Sequence, residues 1–182
     1  MAGGSQGSLP IVGVMGSGTN RDRPRCLELG QWLAKRGVHL LTGGGQGVMD
    51  AVSEGFSQTV PRSGIAIGIL PASKDDPSTA PVGYPNPWLD LAIRTHLPLS
   101  GTDGTDLRSR NHINILTADI VIAMAGAFGT SSEVSLALRY GRPVVAYLQD
   151  PNEIPQLSPL VPVLGRLDEV CAFVDDALSR AP

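Results

Sequence analysis

The segment AMAGAFGTSSEVSLAL, residues 123–138, combines small residues, a hydroxyl and a carboxylate at a spacing suited to binding chemistry. An apolar run ends in a turn through Gly126 and Gly129, and Thr130 then opens a predicted helix with Glu133 in its first turn. A helix N-terminus offers unpaired backbone N–H groups and a positive dipole end, so the segment predicts an anion site. Glu133 has a plainer interpretation as a helix-dipole carboxylate, worth ~0.3–1 kcal/mol on an exposed surface.

Two arginines precede the same strand in the segment TDLRSRNHINILTA, residues 105–118, which we predict to be helical. Arg108 and Arg110 carry guanidinium groups suited to bidentate phosphate recognition, and Asn111 follows directly. Solvated surface arginines are the alternative. On the predicted helix, Arg110 and Asn114 share one face at i, i+4. Ile113 and Leu116 are expected to turn elsewhere, toward the sheet.

Two further glycine-rich turns follow predicted strands. In GVMGSGTN the candidate binding residues are Gly16, Ser17, Gly18 and Thr19, and a tight turn without a ligand is the alternative. In TGGGQG a simple turn needs one glycine, so the consecutive glycines favour close approach to a ligand. Its candidate residues are Thr42, Gly43, Gly44, Gly45 and Gly47.

The elements that must position these turns alternate between short apolar runs and amphipathic segments. Runs such as PIVGVMG and DIVIAMAG suit buried parallel strands, and segments such as RPRCLELGQWLAKRG suit helices. The pattern predicts an α/β fold of three layers, α/β/α, built on a Rossmann-like, doubly wound parallel sheet. In such sheets ligands bind beyond the carboxyl ends of the strands, where all three turns lie.

Three other segments carry expectations. Residues 71–90 hold five of the fifteen prolines and predict a long irregular loop, whose Tyr84 and Trp88 are candidates for a lid over a flat ring. LAIRTHL, residues 91–97, is a candidate fourth strand. Leu136 and Leu138 are expected on an exposed apolar helix face that would suit a homo-oligomer.

Charge and residue content argue against several classes of function for this protein. The net charge of −3 gives no support to general nucleic-acid binding, so a small ligand is the better expectation. We expect a flexible N-terminus over residues 1–9 and a single domain over 10–182, without a signal peptide or membrane span and in the cytoplasm. Cys26 and Cys171 are expected as buried thiols, and the dispersed histidines predict no metal bound by protein side chains. A P-loop lysine is absent from GGGQGVMD, which disfavours ATP hydrolysis.

Two stretches of the chain, taken together, are TGGGQGVMDAVSEG and RSRN…ADIVIAMAGAFGTSSEVSLAL…GRPVVAYL. They resemble the lysine-decarboxylase-like superfamily, which includes the "lonely guy" phosphoribohydrolases. The short GVMG start, the Arg-Asn pair and GTSSEVSLALRYGRPVV are most similar to its molybdenum cofactor carrier branch. The likeness extends from about residue 10 to 148.

The resemblance implies roles for particular residues. Arg110 and Glu133 match the catalytic arginine and glutamate of the hydrolases, and Gly126, Gly129 and Thr130 match their phosphate-binding turn, beside which Phe128 is a further candidate contact. Ala125 replaces the motif proline and Ala127 its second glycine. A Cβ at residue 127 is expected to restrict a backbone that curls around phosphate, which disfavours nucleotide hydrolysis.

The resemblance therefore implies a carrier, not an enzyme, that binds molybdenum cofactor (molybdopterin) for storage, protection or delivery. Glu133 would accept hydrogen bonds from donors on the pterin ring, and any molybdenum would arrive on the pterin's sulfurs. Expected partners are further copies of the chain, as a dimer or tetramer, and molybdoenzymes that receive the cofactor. The alternatives are a hydrolase of the N-glycosidic bond of nucleoside monophosphates, with Arg110 and Glu133 catalytic, and a nucleotide-sensing module.

Overall fold

The computed structural model describes residues 8–19 and 22–180, and these contain one parallel sheet of seven strands. The strand order is β4-β3-β2-β1-β5-β6-β7, so the chain reverses direction of growth between β1 and β5. This is the predicted Rossmann-like, doubly wound α/β fold. The strands are β1 Ile11–Met15, β2 His39–Thr42, β3 Ala66–Leu70, β4 Leu91–Arg94, β5 Ile120–Ala123, β6 Val144–Tyr147 and β7 Val163–Leu164.

Five α-helices in the described ranges cover the two faces of the sheet. One core joins the first, second and fifth helices to one face, with Leu29, Val52 and Val170 among its buried side chains. The other core joins the third and fourth helices to the opposite face, through Ile115 and Val134. The helices are α1 Arg23–Arg36, α2 Val48–Ser57, α3 Asn111–Thr117, α4 Phe128–Arg139 and α5 Leu167–Arg180.

The predicted glycine turns meet at the carboxyl edge of the sheet because β2, β1 and β5 are neighbours. The N–H of Ser17 donates to the carbonyl of Ala125 at 3.0 Å, and the carbonyl of Ser17 accepts from the N–H of Val48 at 2.9 Å. These two bonds tie the turns after β1, β2 and β5 to one another. The reversal of strand order therefore coincides with the candidate site.

The helix predicted over residues 105–118 is shorter, since α3 begins at Asn111. Side chains before it bond their own backbone: Asp106 accepts from the N–H of Arg108 at 2.8 Å, and Ser109 from that of Asn111 at 3.2 Å. Such local bonds compete with helix formation. Arg108 thus lies in a turn and Arg110 is the N-cap residue of α3.

Two predictions about apolar helix faces were wrong. Ile115 faces the sheet, whereas Ile113 and Leu116, expected there, are 37% and 48% exposed. The expected exposed face around Leu136 is in fact core: Leu136 is 1% exposed, and Leu138 packs against the same cluster.

Smaller differences concern the edges of the sheet and the cysteines. The fourth strand ends at Arg94 instead of residue 97, and β7 was not predicted because two residues carry no periodic signal. Cys26 is buried but Cys171 only partly so. Residues 71–90 contain no helix or strand, as predicted. The segment predicted to be flexible lies largely outside the described residues, which begin at residue 8.

Candidate functional site

A buried ion pair lies at the centre of the candidate site. Nη1 of Arg110 is 3.4 Å from Oε1 of Glu133, and both side chains are less than a tenth exposed. The same Nη1 donates to Oδ1 of Asn111 at 2.9 Å, while Nε of Arg110 has no hydrogen-bond partner. The side chain of Asn114 is also fully buried, and neither its Oδ1 nor its Nδ2 makes a hydrogen bond of good geometry within the described residues. Buried polar atoms without partners are rare in folded proteins and often mark a functional site.

Burial sets the electrostatics of this pair. Burial of the Glu133 carboxyl away from water raises its pKa, and the positive charge of Arg110 opposes that rise without cancelling it. Desolvation disfavours the charged form of a carboxyl, and an opposite charge nearby favours it. The carboxyl therefore gains a proton more readily than an exposed glutamate does.

The three consecutive glycines make room for this arrangement. A Cβ on Gly43 would lie 2.4 Å from Nη2 of Arg110, and one on Gly45 would lie 2.7 Å from the ring of Tyr84. Gly44 has φ of +76°, a conformation that other residues rarely adopt. Close packing of protein groups thus accounts for the glycines.

We name the space above the ion pair the central cavity, with a volume of about 220 Å³. It lies among the turns after β1 and β5, the start of α3 and the loop that follows β3. Its lining residues are Gly16, Ser17, Gly18, Met49, Tyr84, Ser100, Gly101, Arg110, Asn111, Ala127, Gly129, Thr130 and Glu133.

The N-terminus of α4 adjoins this cavity and has no side-chain cap, because its N-cap residue is Ala127. The N–H groups of the first turn have no partner within a helix, so they remain available to a ligand. Ala127 has φ of −95°, an ordinary value for an L-residue. The backbone therefore takes the observed turn without strain, and the expected restriction around a bound phosphate stays a prediction.

Gly126 has a structural role in the same turn. Its N–H donates to the carbonyl of Glu153 at 3.0 Å, and a Cβ on Gly126 would lie 2.1 Å from Oγ1 of Thr130. The N–H is therefore committed within the protein, and the absence of a side chain lets Thr130 pack against the turn.

A second space, which we name the larger cavity, has a volume of about 380 Å³ and shares Ser17 and Ala127 with the central one. The guanidinium of Arg25 lies 3.7 Å from the centre of the Tyr147 ring in its wall. Its other lining residues are Thr19, Asp22, Cys26, Val48, Met124, Ala125, Gly126, Asn152, Glu153 and Pro155.

The predicted binding residues fall into three groups. Eight line the central cavity: Gly16, Ser17, Gly18, Arg110, Asn111, Gly129, Thr130 and Glu133. Thr19 and Gly126 line the larger one. The remaining residues line neither cavity: Thr42, Gly43, Gly44, Gly45, Gly47, Arg108 and Phe128.

The third group has other roles in the fold. Oγ1 of Thr42 accepts from the N–H of Gly44 at 3.1 Å, and a Cβ on Gly47 would lie 2.4 Å from the carbonyl oxygen of Ser17. Arg108 is exposed and pairs with Asp106 at 3.1 Å. Phe128 is 48% exposed. Direct contact between these residues and a ligand stays a prediction.

Several lining residues were missed from the sequence. Met49, Ser100 and Gly101 carry no recognisable motif and come to the cavity only through the fold. Tyr84, the candidate lid residue, lies in its wall, but Trp88 does not. The carbonyl of Trp88 accepts from Oγ of Ser57 at 2.6 Å.

The described residues contain neither a candidate metal site nor a candidate membrane span. No group of three or more His, Cys, Asp or Glu side chains within 8–19 and 22–180 is placed to hold a metal ion. None of the helices in this part of the chain is long and apolar enough to cross a membrane.

Solved structures with this fold include proteins of known ligand. The molybdenum cofactor binding protein from the phototrophic bacterium Rippkaea orientalis is 31% identical with a TM-score of 0.73, over 93% of this chain and 98% of that one. The molybdenum cofactor carrier protein from Chlamydomonas reinhardtii is 27% identical with a TM-score of 0.67, over 94% and 99%. These likenesses support a ligand-binding role.

One structural relative binds nucleic acid. DNA processing protein A from Helicobacter pylori, described with single-stranded DNA, is 20% identical with a TM-score of 0.64, over 93% of this chain and 82% of that one. At this identity only the fold is shared. The expectation of no nucleic-acid partner thus rests on charge alone and stays a prediction.

The family itself follows from the sequence match. Residues 9–160, most of the chain and all three glycine turns, match the SLOG cluster4 family. The chain belongs to the SLOG cluster4 family.

Proposed function

We propose that this protein binds molybdenum cofactor, a phosphorylated pterin, for storage, protection or delivery. The observation that carries the proposal is the buried pair of Arg110 and Glu133 beneath the uncapped N-terminus of α4. This combination offers donors to an anion and an acceptor to a ring. The likeness to two molybdenum cofactor proteins supports the identity of the ligand.

The two adjoining cavities suit a ligand with a phosphate and a ring system. The phosphate would lie in the central cavity, against the first-turn N–H groups of α4 and the guanidinium of Arg110. The pterin would extend past Ser17 and Ala127 into the larger cavity, which is the roomier of the two. Glu133 lines the central cavity, and when ionised it would accept a hydrogen bond from a donor on the part of the pterin nearest the phosphate.

Protonation of Glu133 is coupled to anion binding in this proposal. When Glu133 is ionised it neutralises Arg110, and when it is protonated Arg110 keeps a charge for the phosphate. An anion therefore binds more tightly to the protonated form, and its affinity falls as pH rises through the raised pKa of Glu133. Glu133→Gln would remove this pH dependence.

The alternative is hydrolysis of the N-glycosidic bond of nucleoside monophosphates. It is favoured by one observation, the juxtaposition of Arg110 and Glu133. Stabilisation of an oxocarbenium-like centre requires an ionised carboxylate, however, and burial of Glu133 opposes ionisation. The likeness to two molybdenum cofactor proteins makes the carrier the better proposal.

The test is an anaerobic titration of the purified protein with molybdenum cofactor, with AMP as competitor. We expect saturable binding that AMP displaces weakly. Loss of charged hydrogen bonds in Arg110→Ala should lower the affinity about ten- to hundredfold. Arg166→Ala is the control, because this arginine is 74% exposed, pairs with Asp168 and lines neither cavity, and its affinity should be unchanged.

A second assay decides between carrier and enzyme. The protein is incubated with AMP and with cytokinin-type monophosphates, and the free base is measured by chromatography. Turnover that disappears in Glu133→Gln would refute the carrier as the main function. Delivery is measured separately, as recovery of activity when the loaded protein is mixed with a cofactor-free molybdoenzyme.

The homo-oligomer also remains part of the proposal, without the surface first expected for it. Leu136 cannot contribute because it is buried in the core. Light scattering of the purified protein at several concentrations would give the number of chains.

A further inference from the structure

A third cavity adjoins the central one on the side away from the larger cavity. We name it the loop cavity; it has a volume of about 310 Å³ and lies beneath the proline-rich segment. It shares Tyr84 and Ser100 with the central cavity and no lining residue with the larger one. The three cavities therefore lie in a row along one edge of the sheet, with the central cavity between the larger cavity and the loop cavity.

Size separates the central cavity from its neighbours. At about 220 Å³ it falls below the roughly 300 Å³ at which binding sites for drug-sized ligands begin, whereas each neighbour exceeds that value. A ligand anchored in the centre must extend outward, and space for a ring system exists on both sides.

The charges show where a second anionic group would lie. In the larger cavity the cation of Arg25 is opposed by the carboxylates of Asp22 and Glu153. In the loop cavity the charged lining residue is Lys74, for which no salt bridge occurs within the described parts of the chain. A second phosphate group is thus favoured on the side of the loop cavity, where the charge of Lys74 has no carboxylate beside it in the wall.

The walls of the loop cavity suit a flat ring. Three prolines, Pro71, Pro81 and Pro98, present apolar ring surfaces, and Tyr84 adds an aromatic one. Tyr84 is held in place against Gly45, where a Cβ would lie 2.7 Å from its ring. The aromatic ring is therefore already in position where the loop cavity and the central cavity meet.

We propose that the three cavities form one continuous site for a ligand with two ring systems joined through a pyrophosphate. This inference rests on the proposed function, and the ligand it names is a dinucleotide form of the pterin, in which a nucleotide extends the phosphate. The pterin occupies the larger cavity, the pyrophosphate spans the centre between α4 and Lys74, and the nucleoside packs on Tyr84 and the prolines.

The experiment compares two ligands on one protein: molybdenum cofactor with its single phosphate, and the same cofactor extended to a dinucleotide. Both are titrated anaerobically. We expect the dinucleotide to bind about tenfold more tightly or better, since it adds a charged contact and a stacked ring. Equal affinity, or weaker binding of the dinucleotide, would overturn the inference.

Two variants in the loop locate the gain. Ser73→Trp places a ring in the loop cavity and should reduce dinucleotide affinity about tenfold, to that of the cofactor with its single phosphate, whose own binding stays unchanged. Lys74→Glu reverses an exposed charge and should act in the same direction without risk to the fold. Val82→Trp is the matched control: Val82 is fully exposed in the same loop and lines none of the three cavities.

The outcomes separate this inference from the function on which it rests. Dinucleotide affinity that neither Ser73→Trp nor Lys74→Glu changes would refute the loop cavity as the nucleoside site while leaving the carrier function intact. If neither ligand binds the unmodified protein, the proposed function fails and the inference fails with it.

Discussion

Arg110 and Arg108 are two residues apart, yet they occupy opposite environments. Arg110 is 6% exposed and paired with a buried glutamate from another element, while Arg108 is 73% exposed and paired with Asp106 in its own turn. The carboxylates differ accordingly. Burial raises the pKa of Glu133, whereas the hydrogen bonds from Arg108 lower the pKa of Asp106. The same chemical pair is therefore a candidate site in one place and a solvated turn in the other.

Removal of each arginine in turn should give the largest difference between the two environments. Arg110→Ala leaves Glu133 buried without its cation, so we expect the free energy of unfolding to fall by about 3–5 kcal/mol at pH 8. Arg108→Ala should produce no measurable change, because water already screens its partner. Urea denaturation of both variants measures the difference, and equal losses would contradict the distinction.

Packing gives a second, smaller contrast between buried centre and exposed rim. Gly126→Ala brings a Cβ to 2.1 Å from Oγ1 of Thr130, and such overpacking should cost about 1–3 kcal/mol. Gly18→Ala is the control, since a Cβ there has no neighbour within 4 Å. Thermal unfolding of the two variants tests the prediction. An unchanged unfolding temperature in Gly126→Ala would contradict the prediction and would mean that the turn shifts to accommodate the added Cβ.

The smallest expected effect is the pH dependence of stability. The folded protein holds a proton on Glu133 at pH values where the unfolded chain, with its ordinary pKa of 4.5, has lost it. Stability from this group is therefore complete below that value and declines as pH rises toward the folded pKa. For Asp106 the sign is reversed: its contribution is present above its ordinary pKa of 3.8 and is lost as pH falls.

Denaturation curves between pH 4 and 8 measure this contrast. Glu133→Gln should remove a decline with rising pH that the unmodified protein shows, and Asp106→Asn should leave that decline in place. An unchanged pH profile in Glu133→Gln would show that the Glu133 carboxyl has an ordinary pKa in the folded protein.

Much of the fold was predictable because its signals are local. Apolar runs of four to five residues match β1, β5 and β6, and the glycine after α1 has φ of +77°, as a helix stop requires. The failures are equally instructive. The start of α3 was predicted too early because bonds from Asp106 and Ser109 to the backbone leave no trace in hydrophobic periodicity.

The candidate site divides in the same way. Its glycine turns and the residue types of Arg110 and Glu133 stand in the sequence as recognisable patterns, and the order of the strands brings those turns to one edge. The roles of Gly43 and Gly45, however, depend on the guanidinium and the aromatic ring that pack against them from distant segments. Ser100 reaches the cavity without any motif, so no local pattern could reveal it.

The sequence by itself thus determined the α/β architecture, the positions of the turns and the chemistry available at each. Only the tertiary structure decided which arginine is buried, that Ala127 takes its turn without strain, and that three cavities adjoin in one row. The physical reason is that periodicity and turn chemistry act over a few residues. Burial, electrostatic environment and the continuity of empty space depend on groups that are far apart along the chain and meet only in the folded protein.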